Sequence, residues 1–180
     1  MKKPAQFNSH QINIVNESTA MAEELVSSYY KMSDSQWLRP VYDIKTLADL
    51  SSDEIVQGPF AQIIRYEGKP GDTALGSYSY DFYKICIQDH SILSALNQFP
   101  DIKLFPFSLY IVTHELIHIV RFKKFLQNFM ANPREKMIEE IKVHDTTHEI
   151  LRNVPAEGLH SVFRFYRKWR KPVENMRDTR

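Results

Sequence analysis

The chain has 180 residues, a net charge of +1, and is 43% hydrophobic and 25% charged. That is enough apolar material for one globular core, and it excludes collagen-like, low-complexity and fully disordered chains. A lone cysteine, Cys86, excludes an internal disulfide framework and a Cys-rich zinc finger, and the near-neutral balance excludes polyanion binding by bulk charge.

Met1-Lys2-Lys3 is basic, but no apolar stretch follows, so no signal peptide is expected. Residues 1–15 read as a loosely ordered lead-in. Asn16 or Ser18 can cap a first helix that reaches about residue 31 through Met21, Leu25 and Tyr29. Residues 36–53 are mixed, and Arg39-Pro40 enforces a turn. Four of the five glycines lie between Gly58 and Gly76, and that region reads as β. Residues 60–67 form one strand, 68–72 a turn, and 77–88 a second strand. In the second strand the alternation changes phase, from Tyr78, Tyr80 and Phe82 to Tyr83, Ile85 and Ile87. Either a bulge near Phe82 or burial on both faces accounts for this.

A short helix over 92–98 stops at Pro100. A long helix is expected over 106–129. The most apolar window is 104–120, but its uncharged part, 104–113, spans only ten residues. A membrane helix needs about 20, so no span is expected and the chain reads as soluble and cytoplasmic. Asn132-Pro133, with Glu135 three positions on, restarts the chain as a helix running to about 153. Pro155 and Gly158 end it, and 159–171 reads as a third helix. The fold class is α+β: a small β-hairpin or sheet segment followed by a helical half with a buried central helix.

Residues 114–118 read His-Glu-Leu-Ile-His. On a helix, positions i and i+4 share a face, so His114 and His118 can bind one Zn²⁺. Glu115 lies about 100° round the helix, where it reaches a metal-bound water and can act as general base. Chance predicts on the order of 0.02 such HExxH patterns in a chain of this composition. The flanks Val112-Thr113 and Ile119-Val120 are uncharged.

Here the sequence resembles the zincin metallopeptidases, whose signature is this HExxH in an apolar helical frame. The resemblance implies one zincin-like domain over 1–180, one Zn²⁺ per chain, and hydrolysis of a peptide or small amide. In that family the strand before the active helix is commonly an edge along which a peptide lies; 77–88 is in the right order for that, with an ordinary core strand as the equal alternative. The metzincin extension would need Gly and His where this chain has Arg121 and Lys124, so that branch is rejected. In gluzincins the third ligand is a Glu on a following helix, often with an acidic residue four positions later.

A helical wheel set at Met137 puts Glu140 at about 300°, His144 at about 340°, His148 at about 20° and Ile141 at about 40°, all on one face. Glu139, Lys142 and Glu149 fall at about 200°, 140° and 120°, pointing away. Glu140 is thus the expected third ligand, with His144 where the gluzincins usually carry Asp. The reverse assignment, His144 as ligand and Glu140 orienting it, stays open. His148 reads as a core histidine, with a place as ligand or beside the ligands as the alternative. Arg121 can pair with a ligand or substrate carboxylate, or bridge to the Glu139/Glu140 helix.

Two other functions remain open. Glu115-x-x-His118 is also the ExxH of a carboxylate-bridged di-iron or di-manganese bundle, although the Glu140 to His144 spacing on the next helix is ExxxH and does not supply the second one. A non-catalytic, metal-stabilised binding module, with His144 filling the fourth zinc position, is the other. Residues 159–180 hold seven Arg and Lys against two acidic residues, interleaved with Phe163, Phe165, Tyr166 and Trp169. We expect this segment to pack its aromatics on the body as a helix and basic tail rather than to bind nucleic acid. Oligomeric state is not readable from the sequence.

Overall fold

A computed structural model describes residues 2–33, 42–67, 81–124 and 129–169. Helix α1 spans Ser9–Tyr29 and starts well before the expected cap. Asn8 supplies the cap: its side chain accepts from the Gln11 N–H, and the Gln11 side chain accepts from the Asn8 N–H, both at 2.9 Å. This is a capping box with Gln as its far member. Phe7, just outside it, is buried, and its N–H donates to the Asp89 carboxylate at 2.9 Å. Phe7 and Val15 are therefore tied into the core and residues 9–15 are helical, contrary to the expected loose lead-in. The buried stripe of α1 is Val15, Ser18, Ala22 and Val26. Its two small members let the helix lie close along the central helix described below.

Three strands form one sheet in the order β1-β3-β2: β1 is Tyr42–Lys45, β2 is Ala61–Glu67 and β3 is Asp81–Ile87. β1, which was not foreseen, pairs parallel to β3, and β2 pairs antiparallel to it. Pairing along β3 is one-to-one from Asp81 to Ile87, so there is no bulge near Phe82. Ile85, Cys86 and Ile87 are all buried, so the phase change reflects burial on both faces. The expected substrate edge is corrected by this topology. β3 is the central strand, and β2 is an edge strand among the described residues. The Arg39-Pro40 turn, the 68–72 turn and residues 77–80 lie outside the described residues.

The helical half follows: α2 over Asp89–Gln98, α3 over Leu104–Lys123, α4 over Pro133–Leu151 and α5 over Leu159–Phe165, with a 3-10 turn at Arg167–Trp169. The fold is α+β. α3 is its buried centre, in contact with α1, α4, α5 and β2. It ends at Lys123, short of the expected 129; residues 125–128 lie outside the described ones. α4 starts as expected, with Asn132 and Glu135 in a reciprocal capping box and Pro133 in the first turn. Gly158 joins α4 to α5 at φ 89°, and a Cβ there would come to 3.0 Å from Pro106 Cγ. Glycine is thus required both for the left-handed backbone and for close approach to the first turn of α3. Leu159, Val162, Phe163 and Tyr166 of the C-terminal stretch are buried. No helix of the described residues is long and apolar enough to cross a membrane.

Candidate metal centre

From Pro106 to Val120 every residue of α3 is buried except Glu115. An apolar helix that is hydrophobic all round belongs in a core. The one residue left partly exposed is the acidic residue of the HExxH pattern. His114 and His118, one turn apart, point to the same side, where α4 delivers Glu140. His114 Nε2 and His118 Nε2 are 3.2 Å apart. Glu140 Oε2 is 3.2 Å from His114 Nε2, and Glu140 Oε1 is 2.9 Å from His118 Nε2.

These separations fit a metal. Ligand bonds of ~2.05 Å at the tetrahedral angle put neighbouring ligand atoms about 3.3 Å apart. Two imidazoles and a carboxylate are also a donor set that zinc accepts. Among the described residues this is the group of three or more His, Cys, Asp and Glu side chains that converges enough to hold an ion, and Glu115 is not in it. A carboxylate-bridged pair of metals would need Glu115 as a ligand.

Electrostatics separates the two carboxylates. Burial raises the pKa of Glu140, but hydrogen bonds from His114 and His118 outweigh it and hold the group well below the usual carboxylate range. Burial raises Glu115 as well, and the charges of His114 and His118 only partly oppose this, so its pKa stays above the ordinary value. One acid is held as an anion, while its neighbour is made more basic. His114 Nδ1 is buried with no hydrogen-bond partner among the described residues.

His144 packs beside the triad without joining it. Its ring centroid is 4.3 Å from that of His114, its Nε2 is 3.8 Å from Glu140 Oε2, and its Nδ1 shares a 2.8 Å hydrogen bond with the Tyr110 hydroxyl. Trp169 stacks on its other side at 4.9 Å. Tyr110, expected to be core, is buried and stacks on Tyr166 at 4.2 Å. His148 is half-buried with its ring against the edge of Phe163, and does not reach the triad.

Arg121 donates to Glu139 at 2.8 Å from both Nε and Nη2, and Lys142 joins the same carboxylate at 3.1 Å. Arg121 is thus bridged to α4 through Glu139, the neighbour of the triad's Glu140. Glu139 was expected to face solvent but is buried, while the wheel's reference, Met137, is 61% exposed. The apolar face of α4 is rotated away from Met137 and centres near Glu140 and Thr147. Met137 lies in the first turns of α4, which do not touch the core, and so misplaced the axis.

An open cavity of about 680 Å³ fronts the triad. Its lining includes His114, Glu115, His118, Glu140 and His144, and residues 59–63 along one side. Consecutive strand residues alternate faces, so Ala61, Gln62 and Ile63 can line one cavity together only if it meets the strand edge-on. The Gln88 N–H donates to the Phe60 carbonyl at 2.9 Å, which fixes the alternation. Gln62 bonds toward β3, whereas the backbone groups of Ala61 and Ile63 turn outward along the edge that is unpaired among the described residues.

No family model, curated protein or solved structure matches the chain. The site therefore stands on its own geometry.

Sequence reasoning missed the cavity walls. Phe60 to Ile63, Phe122 and Phe129 were read only as structure, and Phe165, Tyr166 and Trp169 only as an apolar stripe. Lys168 was counted only as part of the basic C-terminal segment, and Lys136 was not singled out.

Proposed function

We propose that this chain is a zinc-dependent metallohydrolase acting on peptides, with Glu115 as general base and His114, His118 and Glu140 as the protein ligands. One observation carries the reading. The ligand atoms of three side chains stand 2.9 to 3.2 Å apart beside the one residue of the α3 core stretch that is not buried, and that residue is a glutamate lining the cavity. A bound Zn²⁺ supplies Lewis acidity, lowering the pKa of water toward ~7 and polarising a carbonyl. The protein does the rest. Glu140 is held as an anion and balances part of the cation's charge. Glu115, made more basic by burial, takes the proton of the attacking water and delivers it to the leaving amine. The outward N–H and C=O groups of Ala61 and Ile63 offer main-chain hydrogen bonds to an extended substrate, which favours a peptide over a compact amide.

The test is Glu115→Gln. The variant should retain zinc and lose at least ~10²-fold in hydrolysis of a peptide mixture, the scale of a lost acid–base group. Loss of zinc in that variant would make Glu115 a ligand and return the site to a carboxylate-bridged metal pair.

A further inference from the structure

The cavity has two ends, and each is built from an aromatic wall and one lysine. At one end, Phe129 lies 5.3 Å from Phe122 and under the Arg65 guanidinium at 5.1 Å, so this end adjoins the later part of β2. Lys136 stands here, four residues before Glu140 on α4 and hence one turn away on the same face. At the other end, Phe60 meets Phe165 at 6.0 Å, and Trp169 stacks on His144, one turn beyond Glu140. Lys168 is the neighbour of Trp169. The two lysines therefore bracket the triad, with about 6 Å of helix rise on either side of Glu140 marking the two ends.

Both lysines are exposed, and neither has a hydrogen-bond or ion-pair partner among the described residues. Among the described residues, the only other charged ones lining the cavity are Glu115 and Glu140. Two carboxylates cancel two ammoniums, so a bound divalent cation leaves the lining at a net charge of +2. Other cations nearby are engaged, Arg121 with Glu139, Lys84 with Glu54 and Arg65 over the Phe129 ring.

Resting on the metallohydrolase reading above, we propose that the cleft selects acidic peptides, with one carboxylate on each side of the scissile bond and apolar side chains between them. An extended chain advances about 3.3 Å per residue, so 6 Å corresponds to roughly two residues. Acidic side chains about two positions before and after the cleaved bond meet Lys136 and Lys168. The alternate side chains meet the Phe122/Phe129 and Phe165/Trp169 walls. Exposed ion pairs are weak, worth about a threefold change in affinity each and about tenfold together. They are also screened by salt. The lysines thus act as selectors and do not supply most of the binding.

The experiment uses zinc-loaded Glu115→Gln protein, full length, so that a bound peptide is not turned over. The probes are capped peptides with a central Phe-Leu bond and Glu, Gln or Lys two positions to each side, measured by calorimetry at low salt. We expect the Glu peptide to bind about tenfold tighter than the Gln peptide, and the Lys peptide weakest. The preference should fade in high salt and vanish in Lys136→Gln/Lys168→Gln. Equal or tighter binding of the Gln peptide overturns the proposal, as does a Glu preference that survives in the double variant. A single-stranded oligonucleotide of equal charge that binds more tightly than the Glu peptide also overturns it, in favour of a nucleic-acid ligand. The two readings fail separately. Zinc-dependent hydrolysis that prefers neutral peptides removes the selection and keeps the hydrolase; lysine-dependent Glu preference without hydrolysis by the wild-type protein does the reverse.

Discussion

Ending the chain at Gly158 removes α5 and the 3-10 turn that follows, and with them one wall of the candidate site. Leu159, Val162, Phe163 and Tyr166 are each at most 9% exposed. Fully burying a side chain of this kind stabilises by about 1.5–3 kcal/mol, so the four together contribute roughly 6–12 kcal/mol. That is comparable with the whole stability of a typical domain, about 5–15 kcal/mol. Truncation also bares the partners of these residues, among them buried Tyr110 and Phe107. We therefore predict that the truncated chain does not fold cooperatively and aggregates. A graded version avoids an all-or-none answer. Val162 is fully buried, and Val162→Ala removes two methyl groups and leaves a small cavity, for about 2 kcal/mol. In a chain of this size that lowers Tm by about 4–8 °C. Circular dichroism melts and size-exclusion chromatography read both. A truncated protein that stays monomeric and melts within a few degrees of the full chain would refute the reasoning and make the segment an appendage.

Three further outcomes follow from the same geometry. Glu140→Ala should lose most bound zinc, whereas His144→Ala should keep it, because His144 Nδ1 is tied to Tyr110 and its Nε2 stands 3.8 Å from the ligand carboxylate; the opposite pattern would transfer the third-ligand role to His144. Glu115→Gln should separate metal binding from turnover, as set out above. The Glu54 carboxyl is depressed from the ordinary 4.5 to about 2, chiefly by hydrogen bonds from Lys84, then from Tyr66 and the Ser51 N–H. A depressed acid contributes stability that is complete above pH 4.5 and lost as pH falls toward 2, so the stability gap between wild type and Glu54→Gln should close across that window. A gap independent of pH in acid melts would contradict the pairing.

The parts of the fold written in local chemistry could be read from the sequence. The Asn132-Pro133-x-Glu135 restart of α4, the C-terminal stripe and the shared face of His114 and His118 all depend on neighbours within a turn or two, and the structure has them. Glu140 could be ranked above Glu139 because helical period sorts faces, even though Met137 was the wrong reference for the axis. Where partners are distant in sequence, the reading failed. β1 is four residues long and gains its identity by pairing with β3 some forty residues later. The Asn8 cap was overlooked because Gln11, not Glu, completes the box, and Phe7 is anchored by Asp89, far along the chain. The choice of β2 over β3 as the edge strand depends on strand order, which no single segment encodes. The cavity walls come from β2, α3, α4 and the C-terminal turn together, so no local pattern could mark Lys136 or Lys168 as facing the same space as Glu115.

The central claim is that His114, His118 and Glu140 hold one metal ion. Elemental analysis of the purified protein tests it most directly, with His114→Ala as the paired control. One zinc per chain in the wild type, falling to near zero in the variant with a lower Tm, is the predicted result, since a ion bound only by the native state stabilises it. Two iron or manganese ions per chain, or no metal at all after growth and purification with zinc present, would contradict it.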